Sequence, residues 1–245
     1  MEKTYKEMSN IINIKTSNIT GIKYTYIGRK NGYYGLEESK WANPYIIGVH
    51  GDRKFCIQKY ILYLNTRPDL LLQLPELKDE ILGCWCSPLP CHGTTLSILS
   101  KSKNVVNWFS NMRDLDEPFI YQGIKYKTVE NFYQAMKIPK GNLELRRQIA
   151  EMNPYKAKQE IRDKSKYLWR KDWNKELSLQ IMEYALRQKF KDGTKWSKKL
   201  EMTENWEIVE WNNWGDLFWG KDIKTKIGEN NLGKLLMKIR GENKI

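Results

Sequence analysis

Histidine and cysteine are scarce in this sequence, and it contains no long apolar run. There are two His and four Cys in 245 residues, so a metal site built on two histidines has almost no residues to draw on. No apolar run is long enough to span a bilayer, and Met1–Asn10 lacks the apolar core of a signal peptide. Three of the four cysteines crowd between Cys84 and Cys91, which is not the framework of a disulfide-rich secreted domain. These absences predict a cytoplasmic protein that does not bind membranes.

The charge of the chain is strongly positive. The formal net charge is +13, and the excess is spread over both halves of the sequence. Spread basicity favours polyanionic partners such as nucleic acid, or small ligands that carry phosphate, although it also serves general solubility. With 40% hydrophobic residues and ten Trp, the chain has enough apolar side chains for packed cores.

A polar break at Ser100–Asn104 divides the sequence. After it there is no Cys or His, and eight of the ten Trp follow it. We therefore predict two domains, residues 1–103 and 104–245, in the α+β class. The first is a small α/β-type domain, and the second is mainly helical with a short β-hairpin.

Periodicity and turn residues predict the main elements. In the first half we predict strands at Tyr24–Ile27 and Ile81–Cys86 and a helix at Arg53–Leu64. In the second half we predict a hairpin (Pro118–Tyr121 and Ile124–Tyr126), a helix that Thr128 caps, helices that begin near Asn142, Pro154 and Asn174, a strand at Trp206–Glu210 and a last helix from Asn230.

The first chemical candidate is the cluster Cys84, Cys86, Cys91 and His92. On a strand, Cys84 and Cys86 point to one face. Cys91 and His92 lie just before a predicted helix, where the dipole and free N–H groups favour a thiolate or a phosphate. Three interpretations stay open: a zinc site of unusually tight spacing, a reactive cysteine or phosphate-binding turn, and small buried cysteines in a reduced protein.

These residues belong to a wider set of signatures. In chain order they are Tyr26–Arg29, Lys40–Pro44 with Asn43 in its "NP" pair, Cys84–Cys86 and Cys91–Gly93. The set resembles a small uncharacterised bacterial and phage domain with "NP" and "CWC…CHG" signatures, over roughly residues 24–100. The resemblance implies no activity.

The second chemical candidate is the helix after Thr128. Glu130, Gln134 and Lys137 recur at i, i+4 and i+7, so an acid, an amide and an amine share one face. The stripe is either the wall of a site or a solvated face, and spacing alone favours the solvated face.

Carboxylates and indoles in this half suit cleavage of a glycosidic C–N bond through an oxocarbenium-like transition state. Glu130 lies in the first helical turn, where the dipole favours its ionised form. Asp216 lies in a loop rich in Gly and Trp, where apolar neighbours would raise its pKa. Trp173 and Trp219 can stack a base or sugar, and Lys137 can hold a phosphate or attack an opened sugar as a Schiff-base amine. Each residue also has a purely structural alternative, which the pattern alone favours.

Five signatures in the second half occur in a characteristic order. They are Phe109–Asn111, Thr128–Lys137, Arg170–Trp173, Asp216–Gly220 and Asn230–Arg240. Together they resemble the NADAR family across roughly residues 107–241. One departure is Asn131, where many members have His, and this difference bears on substrate choice.

The resemblance implies a mainly helical domain with N-glycosidase activity that needs no metal or redox cofactor. Some members cleave riboflavin-pathway intermediates, and others remove ADP-ribose from guanine in DNA. It implies a catalytic trio of Glu130, Trp173 and Asp216. Residues that would support ligand or phosphate binding are Phe109, Asn111, Gln134, Lys137, Trp219, Gly220 and Asn230.

The resulting hypothesis is a hydrolase that removes ADP-ribose or a ribose phosphate from a nucleobase, with ADP-ribosylated guanine in DNA as the favoured substrate. The positive net charge favours a nucleic-acid substrate over a small metabolite. One alternative is an N-glycosidase that clears riboflavin-pathway intermediates. Another is a non-catalytic sensor of an ADP-ribose-like nucleotide that acts in phage–host defence, in a bacterial or phage-infected cell.

Overall fold

The structure, a computed structural model, describes residues 10–101 and 109–243. In residues 10–101 the elements are β1 (Ile11–Asn13), β2 (Thr25–Tyr26), α1 (Arg53–Asn65), α2 (Pro68–Gln73), β3 (Leu82–Cys84) and α3 (His92–Ser100), with 3₁₀ turns at Gly32–Tyr34 and Leu74–Leu77. In residues 109–243 they are β4 (Asp114–Tyr121), β5 (Ile124–Thr128), α4 (Val129–Ala135), α5 (Leu143–Glu151), α6 (Pro154–Ile161), α7 (Lys175–Lys189), α8 (Lys195–Glu201), β6 (Trp211–Asn212), β7 (Lys221–Asp222) and α9 (Asn231–Glu242). The α+β class is therefore confirmed.

The described chain forms two compact units. The first unit contains residues 10–101 together with Trp206–Asn230, and the second contains residues 109–205 and 231–243. The predicted boundary after residue 103 falls within residues 102–108, outside the described residues. The division into 1–103 and 104–245 therefore stays a prediction.

The first unit is built on a parallel three-stranded sheet in the order β1-β3-β2. Leu82 of the central strand pairs with Ile11 on one side and Thr25 on the other, and it is fully buried, as a residue covered on both faces should be. Both predicted strands are present, although they are shorter than predicted, and β3 ends at Cys84. The predicted helix is α1, which Asp52 caps by accepting from the Phe55 N–H at 2.7 Å.

The predicted strand at Trp206–Glu210 is wrong. The strand lies later, where β6 pairs in parallel with β7. Side chains occupy the backbone groups that a ladder would use: the Glu210 N–H donates to Asn230 Oδ1 at 3.0 Å, and the Val209 carbonyl accepts from Asn65 Nδ2 at 3.3 Å.

The second unit begins with the antiparallel hairpin β4–β5, as predicted. Its two-residue turn has positive φ at both positions, 51° at Gln122 and 71° at Gly123, which matches a type I′ hairpin turn. Strand β5 runs directly into α4. That short helix packs against α5, α6, α7 and β5, so it forms the centre of a mainly helical unit.

Candidate active site

The position of Glu130 follows from the junction between β5 and α4. Thr128 ends the strand and caps the helix, because its Oγ1 accepts from the Asn131 N–H at 3.0 Å. The first turn of α4 therefore holds Glu130, whose N–H donates to the Asn111 carbonyl at 3.0 Å. A carboxylate at this place meets the positive end of the helix dipole.

Glu130, Gln134 and Lys137 form one buried hydrogen-bonded chain. Gln134 Nε2 donates to Glu130 Oε1 at 2.7 Å, and Lys137 Nζ donates to Gln134 Oε1 at 2.8 Å. The three residues are only 5%, 2% and 7% exposed. The solvated face favoured by spacing is therefore wrong. The reason is tertiary: neighbouring helices enclose α4, and hydrogen bonds must then satisfy its polar face.

Three aromatic rings surround the Lys137 ammonium. Nζ lies 4.6 Å from the Trp169 ring centroid, 4.9 Å from that of Tyr133 and 5.9 Å from that of Trp173. The Arg170 N–H donates to the Lys137 carbonyl at 2.7 Å and so ties the tryptophan segment to the end of α4. Sequence reasoning missed Trp169 and Tyr133. A signal existed, because each lies within one residue of a predicted site residue or signature.

Burial lowers the pKa of Lys137 from its ordinary 10.5 to about 8, although the nearby Glu130 charge opposes this shift. Lys158 and Lys164 lower the pKa further. The side chain is thus protonated at neutral pH, yet it gives up its proton far more readily than a surface lysine. Such an amine is suited either to bind a phosphate or, once neutral, to act as a nucleophile.

Asn131 serves another face of α4. Its Nδ2 donates to the carbonyls of Ile149 at 2.7 Å and Met152 at 2.9 Å, and its Oδ1 accepts from the Thr128 hydroxyl. The residue is 1% exposed. Here Asn131 joins the start of α4 to the end of α5.

Replacing Asn131 by alanine is expected to lower the free energy of unfolding by about 2–3 kcal/mol, because the carbonyls of Ile149 and Met152 lose their donor. Urea unfolding measures the change. Gln148→Ala, at an exposed position of α5, is the matched control and should change stability by less than about 0.5 kcal/mol. Equal stability of the two variants would show that the hydrogen bonds of Asn131 between α4 and α5 do not stabilise the fold.

Two further predicted residues lie in the second unit. Phe109 is buried and packs edge-on against Phe190, with ring centroids 5.6 Å apart. Asn111 Nδ2 contacts the Met182 sulfur at 3.5 Å, and its buried Oδ1 has no hydrogen-bond partner among the described residues. This buried amide oxygen lies near the N-terminus of helix α4, and it is an available acceptor for a ligand.

Asp216 and Trp219 lie in the first unit. Asp216 Oδ1 accepts from the Trp219 N–H at 2.9 Å, and Asn212 exchanges hydrogen bonds with the Asp216 backbone at 2.8 and 3.0 Å. The loop that presents this carboxylate is thus ordered by local bonds. Trp219 is half-buried and meets Phe218 edge-on at 4.8 Å.

Gly220 and Asn230 have structural roles in the same unit. A Cβ on Gly220 would overlap the Glu210 carbonyl oxygen. Asn230 has φ 54°, and its amide accepts from the Glu210 N–H and donates to the Ile208 carbonyl at 2.9 Å. Both side-chain atoms of Asn230 are therefore engaged within the unit.

The structure thus places the predicted residues in two groups. Glu130, Gln134 and Lys137 form one hydrogen-bonded chain of side chains. Trp173 is one of the three aromatic rings around the Lys137 ammonium. Asp216, Trp219, Gly220 and Asn230 belong to the other compact unit.

The three cysteines of the motif lie together. The sulfurs of Cys84, Cys86 and Cys91 all lie within 4.8 Å of one another. Hydrogen bonds from the thiols of Cys84 and Cys91, with a contribution from Arg53, lower the pKa of Cys86. Hydrogen bonding within the trio raises the pKa of both Cys84 and Cys91. Cys86 is therefore the first of the three to become a thiolate.

His92 and Asn43 flank the cysteine cluster. His92 Nε2 lies 2.9 Å from the Ile27 carbonyl oxygen. Burial lowers the pKa of the imidazole, although its bond to Ile27 opposes this shift. Asn43 Nδ2 donates to the Cys56 carbonyl at 3.3 Å. Both residues line a cavity of about 230 Å³, and Cys84 and Cys86 line it as well.

The chain therefore contains a parallel-sheet unit with a cysteine cluster and a mainly helical unit with a buried carboxylate. The family model described as "NADAR domain" matches residues 98–243, more than half of the sequence, and the protein belongs to the NADAR family. A second model, described as "Domain of unknown function (DUF4326)", matches residues 12–102. Both predicted resemblances are confirmed.

Individual relatives cover parts of the chain. It is 37% identical over 86 residues to an uncharacterized protein of Acanthamoeba polyphaga mimivirus, covering 31% of this chain and 65% of that protein. It is 31% identical over 122 residues to a riboflavin biosynthesis protein of Vibrio vulnificus, covering 49% of this chain and 31% of that protein. The chain spans less than two thirds of either relative. The NMR structure of Escherichia coli YbiA is 31% identical, covers 56% of this chain and 77% of YbiA, and has a TM-score of 0.47. Within the described residues, no helix has the length and apolar character needed to cross a bilayer.

Proposed function

We propose that this protein hydrolyses an N-glycosidic bond and releases ADP-ribose, or a ribose phosphate, from a nucleobase. The observation that carries the proposal is the buried chain Glu130–Gln134–Lys137, enclosed by aromatic rings within the NADAR segment. The Glu130 carboxylate can face a positively charged ribosyl ring, the Lys137 ammonium can bind a phosphate, and the nearby indole rings can stack on a base or sugar.

The proposed mechanism assigns each group a separate task. As the C1′–N bond breaks, its electron pair leaves with the base, and positive charge develops on the ribosyl ring. The Glu130 carboxylate stabilises that charge because it is preorganised and shielded from water. Water then attacks C1′ and gives up a proton to a carboxylate, and the family resemblance adds Asp216 as the second carboxylate for this step. Trp173 stacks the substrate, and Lys137 binds phosphate.

Basic side chains near the tryptophans support a phosphate-bearing ligand. Trp169 and Arg170 line an open depression of about 410 Å³, together with Lys140 and Lys171. The overall charge of +13 agrees with a polyanionic substrate, and we therefore favour ADP-ribosylated guanine in DNA.

One observation favours a second candidate substrate. The Vibrio vulnificus relative carries the name riboflavin biosynthesis protein. An aminopyrimidine ribose phosphate from that pathway contains the same type of C–N bond and one phosphate, so the same residues would serve its cleavage.

A product assay with the full chain tests both proposals. One arm offers single-stranded DNA that carries ADP-ribosylated guanine, and the other offers the aminopyrimidine ribose phosphate. Release of ADP-ribose from DNA, with an apparent KM that rises steeply with salt, would support the DNA proposal. Cleavage of the small molecule alone would replace it with the metabolite. Tight ADP-ribose binding without either product would contradict the enzyme and favour a sensor.

The pH dependence of ligand binding tests the role of Lys137. Since its ammonium loses a proton near pH 8, ADP-ribose affinity should fall as pH rises through that value. Calorimetric titration between pH 6.5 and 9.5 measures the fall. Lys137→Met should bind about 10–100-fold more weakly at pH 7 and should lose the midpoint near pH 8. An affinity that increases above pH 8 would contradict the phosphate role and favour the amine as nucleophile.

A further inference from the structure

The cysteine trio in the first unit has no part in the proposed glycosidase. The sulfurs of Cys84, Cys86 and Cys91 lie within 4.8 Å of one another, and the trio is buried or half-buried. In the part of the chain that the structure describes, the sulfurs of these three cysteines lie close enough together to bind a single metal ion.

Strand β3, a hydrogen-bonded turn and the start of helix α3 hold the three cysteines in place. Cys84 ends the central strand β3, and its carbonyl accepts from the Ile14 N–H at 3.0 Å. Asn13 Nδ2 donates to the carbonyls of Trp85 at 3.2 Å and Ser87 at 2.6 Å, which fixes the turn that contains Cys86. Cys91 is the N-cap of α3, and its sulfur accepts from the Gly93 N–H at 3.3 Å. The donors are therefore preorganised rather than carried on free loops.

The separations suit a single thiophilic ion. Zinc–thiolate bonds of about 2.3 Å at tetrahedral angles place sulfurs about 3.8 Å apart. A trio already within 4.8 Å needs adjustments of about 1 Å or less. Soft sulfur donors disfavour Mg²⁺ and Ca²⁺, which prefer oxygen, and iron–sulfur clusters usually take four cysteines.

Neighbouring groups compensate the charge of such a site. Three thiolates and one Zn²⁺ carry one net negative charge. The Gly93 N–H donates to the Cys91 sulfur at 3.3 Å, and Arg53 lines the same cavity as Cys86. Bonds of this kind orient the thiolates and stabilise their charge.

The fourth coordination position is not supplied by His92. Its Nδ1 lies 3.7 Å from the Cys91 sulfur, but the donor atoms that all lie within 4.8 Å of one another are the three cysteine sulfurs without it. Cys84 and Cys86 instead line the cavity of about 230 Å³, whose wall includes Arg29 and Arg53. Three protein ligands with an open fourth position is the arrangement of a reactive zinc site rather than a closed structural one.

We propose that Cys84, Cys86 and Cys91 bind one Zn²⁺ ion whose fourth position opens into this cavity and takes water or a small anion. The two arginines favour an anionic occupant such as phosphate or a carboxylate. The site is independent of Glu130 and of the proposed glycosidase activity.

Metal analysis of the full chain, purified without chelator, is the first test, and about one zinc per chain is expected. Cys84→Ser and Cys91→Ser should each weaken zinc binding at least tenfold in competition with a chromophoric chelator. Cys56→Ser is the matched control, because Cys56 is buried and lines the same cavity but lies outside the trio. It should retain the metal.

Cobalt substitution of the wild-type chain tests the site without relying on variants that fail to fold. Thiolate-to-cobalt charge-transfer absorption at one equivalent of Co²⁺ would support the trio, and a spectral change on adding inorganic phosphate would support the open position. Substoichiometric zinc together with rapid alkylation of Cys86 would overturn the metal site in favour of a reactive thiol. A disulfide within the trio in the freshly purified protein would overturn it as well.

Discussion

Replacing Glu130 by glutamine is expected to lower turnover about 10³-fold while leaving the free energy of unfolding nearly unchanged. Glutamine keeps the size of the side chain, and its carbonyl can still accept from Gln134 Nε2, which lies 2.7 Å from the carboxylate. The variant loses the negative charge that faces the developing ribosyl cation, and removal of one preorganised electrostatic group typically costs 10²–10³ in rate. Product release per enzyme, followed by chromatography, measures the loss.

A matched acid on the next helix controls for general effects of charge. Glu144 lies in the first turn of α5, as Glu130 does in α4, but it is exposed and only loosely paired with Arg147 at 3.8 Å. Glu144→Gln should therefore retain full activity. If Glu130→Gln also retains full turnover with the substrate that the wild type cleaves, the assignment of Glu130 is wrong. A decrease in ADP-ribose affinity with unchanged turnover would instead make Glu130 a binding residue.

Replacing Gly220 by alanine is expected to lower the free energy of unfolding by about 3 kcal/mol or more, or to prevent folding of the loop around it. The new Cβ would overlap the Glu210 carbonyl oxygen and lie 2.9 Å from Asn212 Nδ2. The carbonyl cannot move away without cost, because it accepts from the Lys221 N–H at 2.9 Å. Overpacking against backbone that is already hydrogen-bonded belongs to the most destabilising class of substitution.

A second glycine of the same unit provides the comparison. A Cβ on Gly32 would meet no atom within 4 Å, so Gly32→Ala should change stability by less than about 0.5 kcal/mol. Thermal and urea unfolding of both variants measure the difference. If Gly220→Ala folds with wild-type stability but loses affinity for ADP-ribose, its role is in ligand binding, as the family resemblance implies, and the close backbone approach is not limiting.

Signals that act over a few residues were sufficient to predict many elements. Asn174 and Pro154 begin α7 and α6 as predicted, because capping and proline geometry depend on the adjacent turn alone. The hairpin was predictable for the same reason, since Gln122-Gly123 provides both left-handed positions. The short spacing of Cys84, Cys86 and Cys91 made a common site one of three interpretations, and the structure brings their sulfurs within 4.8 Å of one another.

Burial was beyond the reach of local signals. The polar stripe of α4 was predicted to face solvent, yet Gln134 is 2% exposed, because helices from distant parts of the chain enclose it. Trp169 was missed for a similar reason: only the folded chain brings it 4.6 Å from Lys137. The strand predicted at Trp206–Glu210 failed because Asn230, twenty residues later, takes the Glu210 N–H.

The assignment of Trp206–Asn230 to the first unit has a consequence for how this chain can be inherited. Trp211 Nε1 donates to the Asn65 carbonyl at 3.0 Å, and Asn65 returns a bond to the Val209 carbonyl. Trp206 lies beside Tyr45, with ring centroids 6.3 Å apart. A recombination event that replaced residues 10–101 alone would separate Trp206, Val209 and Trp211 from the residues that they contact. The segment that carries Asp216 therefore depends on residues 10–101 for part of its packing.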